Sequence, residues 1–191
     1  ERFFLYFKMI KNLLTRMKKR FFLFVIVFAM QPLQTSLGLS RDSTLIHFQL
    51  KDQFDHVWSH DDFWGHVTII VGSDRRGSQY NEIWSFAIYD SLIKYGLTDS
   101  VKFLAVADIR GVPSPFKKLV KKKFPKEPHR WIILDWEGEF AQAYHFMPSE
   151  SNLILVDRSG RTRYHLSGKK LDRNKLDLIL KKIYLLFTSP P

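Results

Sequence analysis

The chain predicts an α/β domain, a central sheet with helices on both faces, and three observations carry that expectation. Two apolar runs, Val67–Val71 and Val101–Ala107, read as strands buried within a sheet. Between and after them, apolar residues recur at helical spacing. Near the end, Leu153–Asp157, the turn Arg158-Ser159-Gly160 and the return to Leu166 have the pattern of a β-hairpin, with glycine where positive φ is needed. Strands that alternate with helices and then close with a hairpin and a last helix bury their apolar faces as layers on one sheet.

Taken in order, Leu45–Leu50 is a strand candidate with Ile46, Phe48 and Leu50 on one face. Trp58–Trp64 reads as a short polar-aromatic turn of helix closed by Gly65. Val67–Val71 has no polar side chain except Thr68. After the loop Gly72–Ser78, Ile83, Trp84, Phe86, Ala87, Ile88, Leu92 and Tyr95 define a helix that ends at Gly96. Val101–Ala107 follows as a strand. Ser114-Pro115 predicts an N-cap and a first-turn proline, opening a basic helix to Lys123 with Phe116, Leu119, Val120 and Phe124 as its packing face. Trp131–Leu134 is a strand, Glu139–Tyr144 a short helix and Leu153–Asp157 a strand. The final helix spans about 172–187, with Leu176, Ile179, Leu180, Ile183 and Phe187 as one stripe.

The 191 residues, 45% hydrophobic, suit one domain plus an appendage. The first 38 residues hold seven Lys/Arg against Glu1 alone, and seven of the 17 Phe, so composition changes abruptly near residue 38. Met17-Lys18-Lys19-Arg20, the apolar run Phe21–Met30, Gln31-Pro32 and the small residues of Ser36-Leu37-Gly38 make residues 1–38 a signal peptide, or a signal anchor if uncleaved. The run of ten is short against the ~20 residues of a spanning helix. Met9 and Met17 both offer starts, so 1–16 reads as an over-extended frame. The domain is placed at 45–187, and the protein is expected to be exported, periplasmic or secreted, or held by an uncleaved anchor.

The chain has no cysteine. That excludes disulfides, thiolate nucleophiles, Cys-ligated zinc or iron–sulfur sites and thioether-linked haem. The net charge of +11 is concentrated in the targeting segment and in the lysine-rich stretch 117–130. That stretch could lie on a membrane surface; nucleic acid is not expected as a partner of an exported chain.

At this point the ordered signatures resemble a family. Phe48-Gln49-Leu50-Lys51-Asp52-Gln53, Gly65 before a buried strand, the segment Asp135-Trp136-Glu137-Gly138-Glu139-Phe140-Ala141-Gln142-Ala143-Tyr144 and the hairpin Leu153–Gly160 resemble redoxins: peroxiredoxins, alkyl hydroperoxide reductases and periplasmic thioredoxin-like proteins. The resemblance spans roughly 45–187 and implies a thioredoxin-like fold with a central mixed sheet. It also implies where the chemistry would sit. Thioredoxin-like members carry Cys-x-x-Cys at the helix N-terminus after the buried strand, where the helix lowers a thiol pKa. Here the matching stretch is roughly Arg76-Gly77-Ser78-Gln79, and Gly72–Gln79 offers neither Cys nor the Thr-x-x-Cys of a peroxiredoxin. The family's cis-proline position falls near Ser151. Ser78 could mimic the geometry of the missing thiol, but a hydroxyl needs an adjacent base.

Candidate binding residues are therefore Asp74, Arg75, Arg76, Gly77, Ser78 and Gln79, with Ser151 facing them. Two arginines and two glycines leading into a helix N-terminus suit an anion or an acidic peptide. The competing reading has Asp74 or Ser78 capping the helix while the arginines are solvated. His56, His60 and His66 lie with Asp55, Asp61 and Asp62, and His56/His60 would share a helix face suited to a metal. The sequence as a whole predicts a non-catalytic, exported thioredoxin-fold protein that binds a protein, peptide or anion in the cell envelope, with no cofactor and no metal. The alternatives are a thiol-independent enzyme using His/Asp or a metal, and a membrane-anchored structural envelope protein.

Overall fold

In a computed structural model, residues 46–127 and 130–188 are described. The expected targeting segment 1–38, its cleavage site and the extended start 1–16 lie outside the described residues, as does Leu45. Strands β1 (Gln49–Lys51) and β2 (Val57–Ser59) form a two-stranded antiparallel hairpin. The main sheet contains β3 (Val67–Ser73), β4 (Val101–Asp108), β5 (Ile133–Asp135), β6 (Ser151–Val156) and β7 (Thr162–Gly168) in the order β5-β4-β3-β6-β7. The pairs β3–β4 and β4–β5 are parallel, whereas β3–β6 and β6–β7 are antiparallel. The helices are α1 (Ser78–Tyr95), α2 (Lys117–Lys121), α3 (Glu139–Ala143) and α4 (Arg173–Thr188).

Every residue of β3 is buried, as expected for the central strand. Its alternation divides the core. Val67, Ile69 and Val71 face one cluster with Trp84, Ile88 and Leu92 of α1 and Ile179 and Ile183 of α4. Ile70 faces the other, with Leu104, Phe140 of α3, Tyr144, Phe48 and Phe63. Helices thus cover both faces. Ile46, Phe48 and Leu50 all pack in the second cluster as expected, but the strand expected over 45–50 is confined to Gln49–Lys51, with Ile46 and Phe48 before it. Gly96 ends α1 with φ +66, a left-handed conformation that glycine adopts without a Cβ clash.

Four local expectations are corrected. Trp58 begins no helical turn: it lies in β2, followed by a 3-10 turn at His60–Asp62. The Asp52 carboxylate accepts hydrogen bonds from the backbone N–H of Phe54 (2.8 Å) and His56 (3.1 Å) and from Trp58 Nε1 (2.9 Å), which closes the β1–β2 hairpin, and the Trp58 ring stacks on Trp131 at 4.0 Å. Ser114 does not cap α2; it opens a 3-10 turn, Ser114–Phe116, preceded by Pro113 and with no side-chain cap bond. Phe116 and Leu119, expected on the packing face, are 54% and 56% exposed, whereas Val120 and Phe124 are half-buried. The core face of α1 is likewise the row Trp84, Ile88, Leu92, leaving Ile83, Phe86 and Tyr95 exposed. Among the described residues no helix is long and apolar enough to cross a membrane.

Candidate functional site

Because β3, β4 and β5 are parallel, their carboxyl ends share one edge of the sheet, the place where open α/β sheets bind ligands. The turn leaving β3 is organised by Asp74. Its Oδ1 accepts the Gly77 N–H (2.7 Å), and its Oδ2 accepts the N–H of Ser149 (2.9 Å) in the loop that precedes β6. The Ser78 N–H donates to the Asp74 carbonyl (3.0 Å). The two loops meet at Gly77, where a Cβ would stand 2.2 Å from the Glu150 carbonyl oxygen. Gly72 is similarly filled, by the Phe146 ring at 2.3 Å from a Cβ position. Asn152 completes the join: its Oδ1 accepts the Met147 N–H (2.6 Å) and its Nδ2 donates to the carbonyls of Gly72 (3.3 Å), Met147 (3.2 Å) and Glu150 (3.2 Å).

The structure sorts the expected site residues into two groups. Gly77 is buried and Asp74 half-buried, its carboxylate turned to backbone N–H groups. Arg75, Arg76, Ser78 and Gln79 are exposed, and neither arginine side chain has a hydrogen-bond or ion-pair partner among the described residues. Helix α1 has Gly77 as N-cap and no side-chain cap bond, so neither Asp74 nor Ser78 caps it in the expected way. Ser78 Oγ instead donates to the Arg75 carbonyl (2.9 Å), and Gln79 Nε2 to that of Arg76 (2.9 Å). Ser151 is fully buried and its Oγ has no partner, which removes it from any contact surface; the residue that meets the turn is Glu150, through its backbone.

Sequence reasoning missed a charged cluster at the same edge. Asp108 ends β4 and Asp135 ends β5, and they are paired in register. Arg110 chelates Asp108 through Nε (2.9 Å) and Nη2 (2.6 Å), and this bonding, opposed by burial, raises the guanidinium pKa further, with Asp135 and Asp74 acting in the same direction. The Arg110 side chain lies over Gly138, 2.6 Å from where a Cβ would stand. Burial raises the Asp135 pKa and the Asp108 charge adds to the rise, against the Ala141 N–H bond to Oδ2 (2.9 Å). The available signal was an aspartate closing each of two apolar runs.

The histidines do not join this edge. His66 immediately precedes β3, whereas Ser78 follows its far end; seven extended residues separate them by roughly 20 Å. Asp62, in the turn that begins with His60, accepts Lys102 Nζ through its carbonyl (2.8 Å) near the start of β4, which places that turn at the amino-terminal edge. His56 packs its ring on Trp58 at 4.8 Å, outside any helix, so His56 and His60 share no helical face. Among the described residues no group of three or more His, Asp or Glu is placed to hold a metal ion.

No protein-family model matches the chain, and no curated protein matches it in sequence. Solved structures do match in shape. A protein described as the thiol:disulfide interchange protein DsbE from Chlorobium tepidum superposes with a TM-score of 0.55 at 14% identity, over 76% of this chain and 96% of its own. The exposed lipoprotein thioredoxin of Streptococcus pneumoniae gives 0.53 at 15% identity, over 72% and 99%. A SCO1/SenC family lipoprotein from Bacillus anthracis gives 0.52 at 14% identity, over 80% and 98%. The chain therefore has a thioredoxin-like fold, and it is a version of that fold without cysteine.

Two outcomes follow from this geometry. Gly77→Ala forces the two loops apart and is expected to lower stability by about 1–3 kcal/mol in urea unfolding, because the obstructing atoms are backbone. Asp135→Asn tests the buried carboxyl. A raised folded-state pKa contributes stability that is present below the unfolded pKa and lost as pH rises through the folded value. The asparagine variant lacks that loss and can still accept the Ala141 N–H, so its stability relative to the parent is expected to climb from acid to neutral pH in urea melts; a constant difference would refute the assignment.

Proposed function

We propose that this chain is a thiol-independent binding module, acting at the carboxyl edge of its sheet on an acidic peptide segment or another anion. The observation that carries the reading is the contrast within one turn. Asp74 and Gly77 are locked against the neighbouring loop, while the exposed Arg75 and Arg76 of that turn have no side-chain partner among the described residues. A guanidinium offers a planar fork of donors suited to carboxylates, and a turn already held in place loses little entropy on binding. An envelope location is supported by the N-terminal signal pattern and by the lipoproteins among the structural neighbours.

A redox role lacks its reactant. Disulfide exchange requires attack by a thiolate on sulfur. The Ser78 hydroxyl in the corresponding turn donates to the Arg75 carbonyl and makes no hydrogen bond to a basic side chain among the described residues. Purified protein is expected to leave insulin disulfides and peroxide untouched, and turnover of either would overturn this part of the reading. For binding, the double variant Arg75→Ala/Arg76→Ala is expected to retain the parent's thermal melt but to lose most capture of an acidic peptide library displayed at low salt. Equal capture by parent and variant would remove the turn from consideration.

A further inference from the structure

We propose that the outer face of α2 and its flanking turns is a docking surface for an anionic lipid bilayer. Its six lysines divide into two sets. Lys117 and Lys121, one helical turn apart, hold the helix to the domain: Lys117 Nζ lies 3.4 Å from Glu137 and 5.1 Å from the Trp136 ring centre, and Lys121 Nζ lies 2.6 Å from Asp55. Lys118, Lys122, Lys123 and Lys126 are exposed and have no ion-pair partner among the described residues. Phe116 and Leu119 are exposed among Lys118, Lys122 and Lys123. Helical spacing places Leu119 between Lys118 and Lys122 on one side and Lys123 and Phe116 on the other.

The mixture identifies the occupant. Unpaired lysines alone would suit any polyanion, but two large apolar side chains among them gain nothing from the phosphates of a nucleic acid. An anionic bilayer takes both, with Phe116 and Leu119 entering the interface and the lysines reaching the headgroup level. The charge complementarity is local, since only Glu127 opposes the four free lysines within Lys118–Glu127. Because Lys117 holds Glu137, just past the carboxyl end of β5, a domain seated in this way keeps that sheet edge near the membrane surface.

The cysteine-free sequence permits a direct test. Full-length chain bearing Leu119→Cys, labelled with an environment-sensitive nitrobenzoxadiazole dye, is mixed with vesicles of phosphatidylglycerol in phosphatidylcholine or of phosphatidylcholine alone. The dye is expected to shift to the blue and brighten on the anionic vesicles only, to reverse when salt is raised, and to remain unchanged when placed on α1 by Asp90→Cys. Lys123→Cys, which removes no apolar side chain, supplies the same readout if the first variant fails to fold. In unlabelled protein, Lys118→Glu/Lys122→Glu/Lys123→Glu with an intact thermal melt is expected to weaken partitioning about tenfold or more. A dye that stays in water on anionic vesicles overturns the proposal, as does an equal shift on neutral vesicles. Unchanged partitioning of the triple variant or of its salt response, which would assign binding to another segment, also overturns it.

Discussion

The carboxylate of Asp74 is the constraint on which the candidate site depends. One oxygen holds the turn after β3 through Gly77, and the other holds the loop before β6 through Ser149. Hydrogen bonds to a charged acceptor are each worth about 1.5–3 kcal/mol, enough to offset the cost of Ser149 at φ +62, a conformation that L-residues rarely adopt. Asn152 repeats the arrangement from inside the sheet, satisfying carbonyls of both β3 and the loop. Two segments some 75 residues apart in sequence therefore behave as one surface.

The scaffold around that surface explains the segment that resembles the redoxin pattern. Each marked residue of the Asp135-x-x-Gly138-x-x-Ala141-x-x-Tyr144 segment has a structural task. Asp135 accepts the Ala141 N–H, Gly138 at φ +74 makes room for Arg110, and the Tyr144 hydroxyl accepts the Ile46 N–H at 3.1 Å within a burial that pushes its phenol pKa up to about 12. None of these interactions involves a thiol. The segment that carries the resemblance is therefore, in this chain, a folding element.

Local chemistry made much of the fold legible. The fully buried β3, Gly96 after α1, the 158–160 hairpin turn and the row Leu176, Ile179, Leu180, Ile183 each declare themselves within a few residues. What escaped was decided at a distance. Trp58 is a strand residue because Asp52, itself bridged to Ile133, captures its indole N–H. Phe116 and Leu119 satisfy a helical packing pattern that no neighbour completes. At the site, Asp74, Gly77 and the arginines could be selected by position, but the choice between Ser151 and the Glu150 backbone follows from strand pairing: with Ser151 opposite Gly168, its side chain points beneath the helices. The pair Asp108/Asp135 becomes a cluster only when β4 and β5 lie in register.

The register has an electrostatic consequence for the whole edge. Two carboxylates at neighbouring strand ends repel one another, and burial removes the water that would screen them. Arg110 neutralises Asp108 directly, while Asp135 responds with a raised pKa. Asp74 spends its charge on two backbone N–H groups. Asp108 and Asp74 are thus bonded within the edge, and beside the exposed Glu137, which pairs with Lys117, the guanidinium groups of Arg75 and Arg76 face water with no partner among the described residues. An edge that contains three aspartates therefore carries, at the turn after β3, two arginines whose side-chain donors are unengaged among the described residues.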